Sequence, residues 1–321
     1  MVVGAIPFDS DTPAALTVPE AIIREEGPLE PHAYYRNKSL NSRVVGFDPE
    51  PEEHLRRVEA AIGTIETSKL EKVVLARAVE IEFPEAIDPR LVAARLIDLS
   101  ANRDGFIADL SPAGRPGAML VGSSPEVLVK RQGSTVSAFP LAGSSPRRAA
   151  AAEDHIAGQD LLHSAKDLHE HSFVVEHLRR VLSPLCERLD IPDTPQLIST
   201  NEMWHLGTPI FGTLKDKDLT ALELALAAHP TPAICGTPAE AAQALIETAE
   251  TDRGFYAGAV GWCDSSGDGE YMVAIRCAEV AGDGLSARAW AGGGIVGDSD
   301  AQAELEETTA KLRTILKALS L

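Results

Sequence analysis

Cysteine is scarce in this chain. There are four, Cys186, Cys235, Cys263 and Cys277, and none stands at a C-x-x-C or other metal-ligand spacing from another. That argues against a thiolate metal centre and against a disulfide framework, and suits buried thiols in a reducing compartment. Long apolar runs are also missing, so no membrane-spanning segment is expected. The opening Met1-Val2-Val3-Gly4-Ala5-Ile6-Pro7-Phe8 lacks a basic region and a long apolar core; we expect no signal peptide and a cytoplasmic protein. Basic residues number 29 against 48 acidic ones, a formal charge of −19. Nucleic acid is a poor partner for such a surface, and an anionic substrate would need a local positive trap. No repeat and no linker divides the sequence. We therefore expect one domain over 1–321, large enough for a substantial core, and a monomer.

Hydrophobic periodicity supplies the elements. Residues 11–42, rich in Pro, Ser and Asn, read as irregular surface connection. Helices are expected at about 51–69 and 89–102, the second capped by Asp88, with a buried strand over Val73–Ile81 between them. Strands follow near 104–110, 117–122, 126–131 and 134–141, then helices from about 148 to 190. Short strands near 195–214 lead to helices at about 218–229 and 238–250. Strands near 255–263, 270–280 and 284–291 precede a closing helix at about 301–319. Strands and helices are grouped rather than alternating, which predicts an α+β fold: a single large layered domain of antiparallel sheets with outer helices.

Against that frame two acidic pairs stand out, Asp167-x-x-Glu170 and Glu304-x-x-Glu307. The i, i+3 spacing sets both carboxylates of a pair on one helix face. Two such helices could clamp a hard cation such as Mg²⁺, which prefers oxygen ligands and keeps positions open for water or an anionic substrate. Solvated helix faces are the plainer reading of acidic pairs.

Other polar residues sit in suspicious places. Lys72 heads the apolar strand; it could snorkel to the surface, or act as a base if desolvated. Glu126 follows a Pro-containing turn in Gly122-Ser123-Ser124-Pro125-Glu126, and in an enclosed site it could donate a proton. A base and an acid on opposite faces of a substrate can add water on one side and expel hydroxide on the other. Strict alternation would place Arg276 on one sheet face with Met272, Ala274 and Ala278, where its fork could hold a flat carboxylate. Gly292-Gly293-Gly294, read as following the last strand, could bring bare N–H groups to an anion or simply make a tight turn. His205 reads as a hydrogen-bonded core histidine.

Taken together these segments resemble the Mg²⁺-dependent chorismate-utilising enzymes, which include isochorismate, salicylate, anthranilate and aminodeoxychorismate synthases. The resemblance runs in collinear order through Lys72-Val73-Val74-Leu75, Gly122-Ser123-Ser124-Pro125-Glu126, Pro140-Leu141-Ala142-Gly143-Ser144 and Lys166-Asp167-Leu168-His169-Glu170-His171. It continues through Trp204-His205-Leu206-Gly207-Thr208, His229-Pro230-Thr231-Pro232-Ala233, Arg253-Gly254-Phe255-Tyr256-Ala257-Gly258, Ile275-Arg276-Cys277-Ala278, Ala291-Gly292-Gly293-Gly294-Ile295, and Glu307-Thr308 with Lys311. The implied fold is that of anthranilate synthase component I.

The resemblance implies Glu170 and Glu307 as Mg²⁺ ligands, with Asp167 and Glu304 as water-mediated partners. Lys72 would be the general base that activates water, and Glu126 the general acid for the departing hydroxyl. Arg276, Lys311, Gly292 and the Gly143-Ser144 turn would bind the carboxylates of chorismate, with His205 beside the ring. Lysine at position 72 sets the chain apart from amine-forming members. Ala233 stands where lyase members typically carry Thr, which favours an isomerase that stops at isochorismate; segments 203–206 and 229–232 resemble the siderophore-pathway enzymes. Tyr256 also occurs in lyase members, and the family usually has a longer N-terminal region. Salicylate synthase and a non-catalytic chorismate-binding protein remain the alternatives, and the product could serve siderophore or menaquinone synthesis.

Overall fold

The computed structural model describes residues 1–25, 30–100, 103 and 105–321. Its spine is the strand Lys72–Glu82, buried along almost its whole length because it is covered on both faces. This strand runs antiparallel to Ser286–Ile295 over ten residue pairs, from Glu82 opposite Ser286 to Val73 opposite Ile295. Cys277–Val280, Met119–Gly122 and Phe106–Asp109 extend the sheet on one side, while Arg43–Asp48 and Gly236–Thr237 pair the other edge of Lys72–Glu82.

An eight-stranded antiparallel sheet forms the second layer, in the order 186–190, 210–214, 135–139, 127–132, 269–273, 259–263, 2–6 and 15–17. A three-stranded sheet is made by Gln196–Ser199, Met203–Gly207 and Leu141–Pro146. The main core lies around the eight-stranded sheet and the inner face of the other. A smaller core, with Val79, Ile81, Leu91, Leu96, Leu312 and Ile315, fills the space under the helices Pro89–Leu99 and Ala301–Ala318. Asp88 caps the first of these by accepting from Arg90 N–H, and Asp300 caps the second by accepting from Ala303 N–H. No helix among the described residues is long and apolar enough to cross a membrane.

The grouped strands and helices are thus an α+β architecture, but several boundaries differ from expectation. Within 11–42 the chain forms the strand Ala15–Thr17 and the short helix Ala33–Asn37. Cys186–Asp190, expected to be helical, is an edge strand against Ile210–Leu214. The helical stretch before it is two helices, Ala151–His163 and Ala165–Leu182, parted at Ser164, whose side chain caps the second. The expected strand at 270–280 is two strands in different sheets, Gly269–Val273 and Cys277–Val280. Both are buried, so an apolar run continues across the break and hides it. Residues 101, 102 and 104, at ends of expected elements, lie outside the described residues.

Candidate active site

Crossings between sheets converge on one cavity. The chain leaves one sheet at Gly122 and enters the other at Val127; residues 274–276 make the reverse passage alongside. The passages are tied by Ser123 N–H to the Arg276 carbonyl at 3.2 Å and by Val273 N–H to the Glu126 carbonyl at 3.1 Å. A residue in a crossing belongs to neither sheet, and its side chain is free to face the gap between them. Glu126 and Arg276 both do so. Arg276 therefore does not share a strand face with Met272, Ala274 and Ala278: it sits in the left-handed region, with φ of 51°.

The cavity is narrow as it stands, with about 60 Å³ open to the centre of a water molecule. Of the sequence-derived residues, Glu126, Glu170, His205, Arg276 and Lys311 line it. So do Gly143, Ser144, Ala233, Tyr256 and Gly292. Lys72, Asp167, Glu304 and Glu307 stand just behind this lining, held by the contacts described next.

Three lysines each hold one carboxylate. Lys72 is wholly buried, with Nζ 3.0 Å from Glu170 Oε1; it does not snorkel. Lys311 Nζ lies 2.5 Å from Glu307 Oε1, as their i, i+4 spacing allows, and donates to the Gly292 carbonyl at 3.0 Å. Lys166 Nζ lies 2.9 Å from Glu304 Oε1 and 4.0 Å from Asp167. Ser164 donates to Asp167 at 2.5 Å and Ser299 to Glu304 at 2.8 Å.

The glycine run does something other than expected. Residues 292–294 lie inside the strand Ser286–Ile295, and the Gly292 carbonyl is an acceptor from Lys311. The absence of side chains there makes room for other groups. A Cβ on Gly294 would stand 2.1 Å from Glu170 Oε1, and one on Gly293 would stand 3.0 Å from Glu304 Oε2. Gly143, with φ of 75°, provides the left-handed residue in the strand that carries Ser144.

Burial dominates the electrostatics. It pushes Glu126 up to about 7, although Lys72 and Lys311 pull the other way. It also raises Glu304 to about 7, helped by the neighbouring charges of Glu307 and Glu170. Glu307 is partly buried, but Lys311 and Lys166 outweigh the burial and keep it below the ordinary range. Burial pulls Arg276 down to about 10, still a cation at neutral pH, and holds His205 well below the usual histidine range. The neutral His205 ring faces Arg276 Nη2 at 3.3 Å, so Nε2 is the acceptor.

Do the acids fit the expected cation? Their donor type does, being oxygen throughout. Glu304 Oε2 is buried with no hydrogen-bond partner, and its carboxyl is strained by two like charges. As they stand, no three His, Cys, Asp or Glu side chains among the described residues are grouped to hold an ion. The donor chemistry suits a hard cation, while Glu170 and Glu304 are taken up in ion pairs with Lys72 and Lys166.

Sequence reasoning missed several contributors. Trp290 lines the cavity and stacks on Tyr256, with centroids 5.7 Å apart and planes at 9°. Period two puts Trp290 on the same strand face as Gly292 and Gly294, a signal that was available. Arg253 donates to the Ile234 and Val74 carbonyls, both at 2.7 Å, and pairs with Glu250 at 2.8 Å, fixing two cavity walls. His171 bridges the Ala142 carbonyl and Thr208 Oγ1. The roles of Arg253 and His171 depend on long-range contacts that no local pattern carries.

A model of the chorismate-binding enzymes matches residues 19–320. The chain belongs to the chorismate-binding enzyme family. It is similar to MenF of Mycobacterium tuberculosis (strain H37Rv), 46% identical over 99% of this chain and 86% of that protein. It is also similar to the isochorismate synthase DhbC of Bacillus subtilis, 43% identical over 99% of this chain and 80% of the relative. Among solved structures, DhbC of Bacillus anthracis superposes with a TM-score of 0.91 at 41% identity, covering 100% of this chain and 83% of that one. The α+β architecture is thus the family's.

Proposed function

We propose that this chorismate-binding enzyme is an isochorismate synthase, an isomerase that adds water to the ring of chorismate at one carbon and expels hydroxide at another. The observation that carries the reading is a buried carboxyl, Glu126, raised to about 7 in the cavity that also holds Arg276 and Lys311. A carboxylic acid protonated near neutrality can donate to a departing hydroxyl, which would otherwise be a poor leaving group. Lys72, on the Glu170 side, is the base for the incoming water; paired with Glu170 it rests as the ammonium, and it must give up that proton before it can accept one from water.

Chorismate is a dianion entering a protein of charge −19. Arg276 offers a planar fork for one carboxylate, steadied by the neutral His205, and Ser144 and Lys311 flank the other side of the cavity. Mg²⁺ is the cation we assign to Glu170 and Glu307, with Asp167 and Glu304 behind them; when bound it supplies positive charge for the ring carboxylate. Trp290 and Tyr256 make a flat apolar wall that keeps water off the ring. Ala233 offers only a methyl beside the site, so nothing there steers the enolpyruvyl side chain toward elimination.

Incubation with chorismate and Mg²⁺, followed by chromatography, tests this. Isochorismate should form first and approach equilibrium with chorismate. Stoichiometric pyruvate and salicylate at the initial rate would make the chain a salicylate synthase, and an inert protein would leave it a chorismate-binding protein without catalysis.

A further inference from the structure

The four carboxylates of the acidic cluster meet three ammonium groups, and the three are not equivalent. Lys72 is wholly buried and cannot move without opening the core. Lys311 is anchored twice, by Glu307 and by the Gly292 carbonyl. Lys166 is held only by carboxylates: its one hydrogen bond among the described residues goes to Glu304, and its side chain is 26% exposed. It borders a surface cleft lined by Lys69, His169, Pro238 and Asp298, so it has somewhere to go.

We infer that Lys166 is a resident counter-ion that occupies the acidic cluster in the absence of the divalent cation and is displaced into that cleft when the cation binds. The inference rests on the metal assignment above and adds a residue and a direction of movement to it. Charge balance supports the exchange. With Glu304 ionised, four carboxylates are neutralised by Lys72, Lys311 and one dication, whereas a dication added beside all three lysines leaves an uncompensated positive charge in a buried place. In the cation-free state the four ionised carboxylates outnumber the three ammonium groups by one. The second oxygen of Glu304, buried and without a partner, is what a cation would gain on arrival. Such an exchange keeps the helices Ala165–Leu182 and Ala301–Ala318 together in both states and makes cation affinity a difference between two ions rather than an absolute attraction.

Binding of Mn²⁺, used as a paramagnetic probe for the Mg²⁺ site, tests this without any turnover. Free Mn²⁺ would be followed by electron paramagnetic resonance in the wild-type protein, Lys166→Met, Lys166→Arg and Lys69→Met. Lys166→Met should bind Mn²⁺ on the order of tenfold more tightly than wild type, about 1.4 kcal/mol. Lys166→Arg, which keeps the competing charge, should show no gain, and neither should Lys69→Met, which removes a cation from the same cleft but not from the carboxylates. Equal affinity in wild type and Lys166→Met, or the same gain in Lys69→Met, would overturn the exchange while leaving the cation site standing. No Mn²⁺ binding in any of the proteins would remove the cation site itself, and the exchange with it. If Lys166→Met does not fold, crystals of the wild-type protein with and without Mn²⁺ decide the matter. Lys166 Nζ should leave hydrogen-bond reach of Glu304 when the ion is present; an ion bound with Nζ still on Glu304 would refute the exchange.

Discussion

Replacing Glu126 by Gln should make the enzyme slower and, at alkaline pH, more stable. Glu126 is 3% exposed and its carboxyl is raised by burial from the ordinary 4.5 to about 7. A group whose folded-state pKa lies above its unfolded value stabilises the fold fully below the unfolded pKa and loses that contribution as pH rises through the folded one. The wild-type protein therefore gives up stability between about pH 4.5 and pH 7, at about 1.4 kcal/mol for each pKa unit, or about 3 kcal/mol in all. A glutamine of the same shape never ionises. Thermal or urea unfolding should find Glu126→Gln and wild type alike near pH 4, and the variant more stable by up to about 3 kcal/mol at pH 8. Turnover of chorismate should fall by about 10²–10⁴-fold below pH 7, the usual worth of a positioned acid, and by less above it. Wild-type turnover should decline as pH rises past about 7. Equal stability of the two proteins at pH 8 would show that Glu126 is not held protonated, and near-normal turnover of the variant would remove it from the chemistry.

The other acids should behave differently from one another. Glu170→Gln should abolish turnover and also lower stability by about 3–5 kcal/mol, because it leaves the buried Lys72 ammonium without its partner; a chemical denaturation series would show it. Gly294→Ala should be as damaging to activity, since its Cβ would meet Glu170 Oε1 at 2.1 Å, and a crystal structure should find the Glu170 side chain displaced. Arg276→Lys should raise KM for chorismate by about 10–100-fold with a smaller change in kcat, the cost of exchanging a fork for a point charge at a bidentate carboxylate site. Ala233→Thr should increase pyruvate release relative to isochorismate, by about tenfold at most for one added hydroxyl, which a coupled pyruvate assay would detect.

The residues of the cavity were legible in the sequence because charged side chains in apolar segments are ones that folding alone does not favour. A lysine at the head of an apolar strand and a glutamate after a Pro turn are poor choices for stability; Glu126 lines the cavity and Lys72 reaches Glu170 from behind it. What was hidden is the reason they meet. Arg276 was expected on a sheet face by alternation, yet the chain changes sheets at 274–276, and a run buried on both sides has no polar signal to mark the change. The glycines of 292–294 were read as a loop because glycine is rare in strands; here they are inside one, and the missing side chains make space for Glu170, Glu304 and Tyr256. Acidic pairs predicted two facing helices. The pairing of Glu307 with Lys311 is contained in their i, i+4 spacing, but those of Glu170 with Lys72 and of Glu304 with Lys166 follow from packing between distant parts of the chain, and no local spacing contains them.

The central claim is that Lys72 and Glu126 move a ring hydroxyl by admitting water from one side and expelling hydroxide from the other. The most direct measurement is the reaction run with chorismate and Mg²⁺ in ¹⁸O-enriched water, with the isochorismate isolated early and its mass determined. The account predicts that the product's ring hydroxyl carries the solvent isotope. Isochorismate of unchanged mass, its oxygen retained from chorismate, would contradict it.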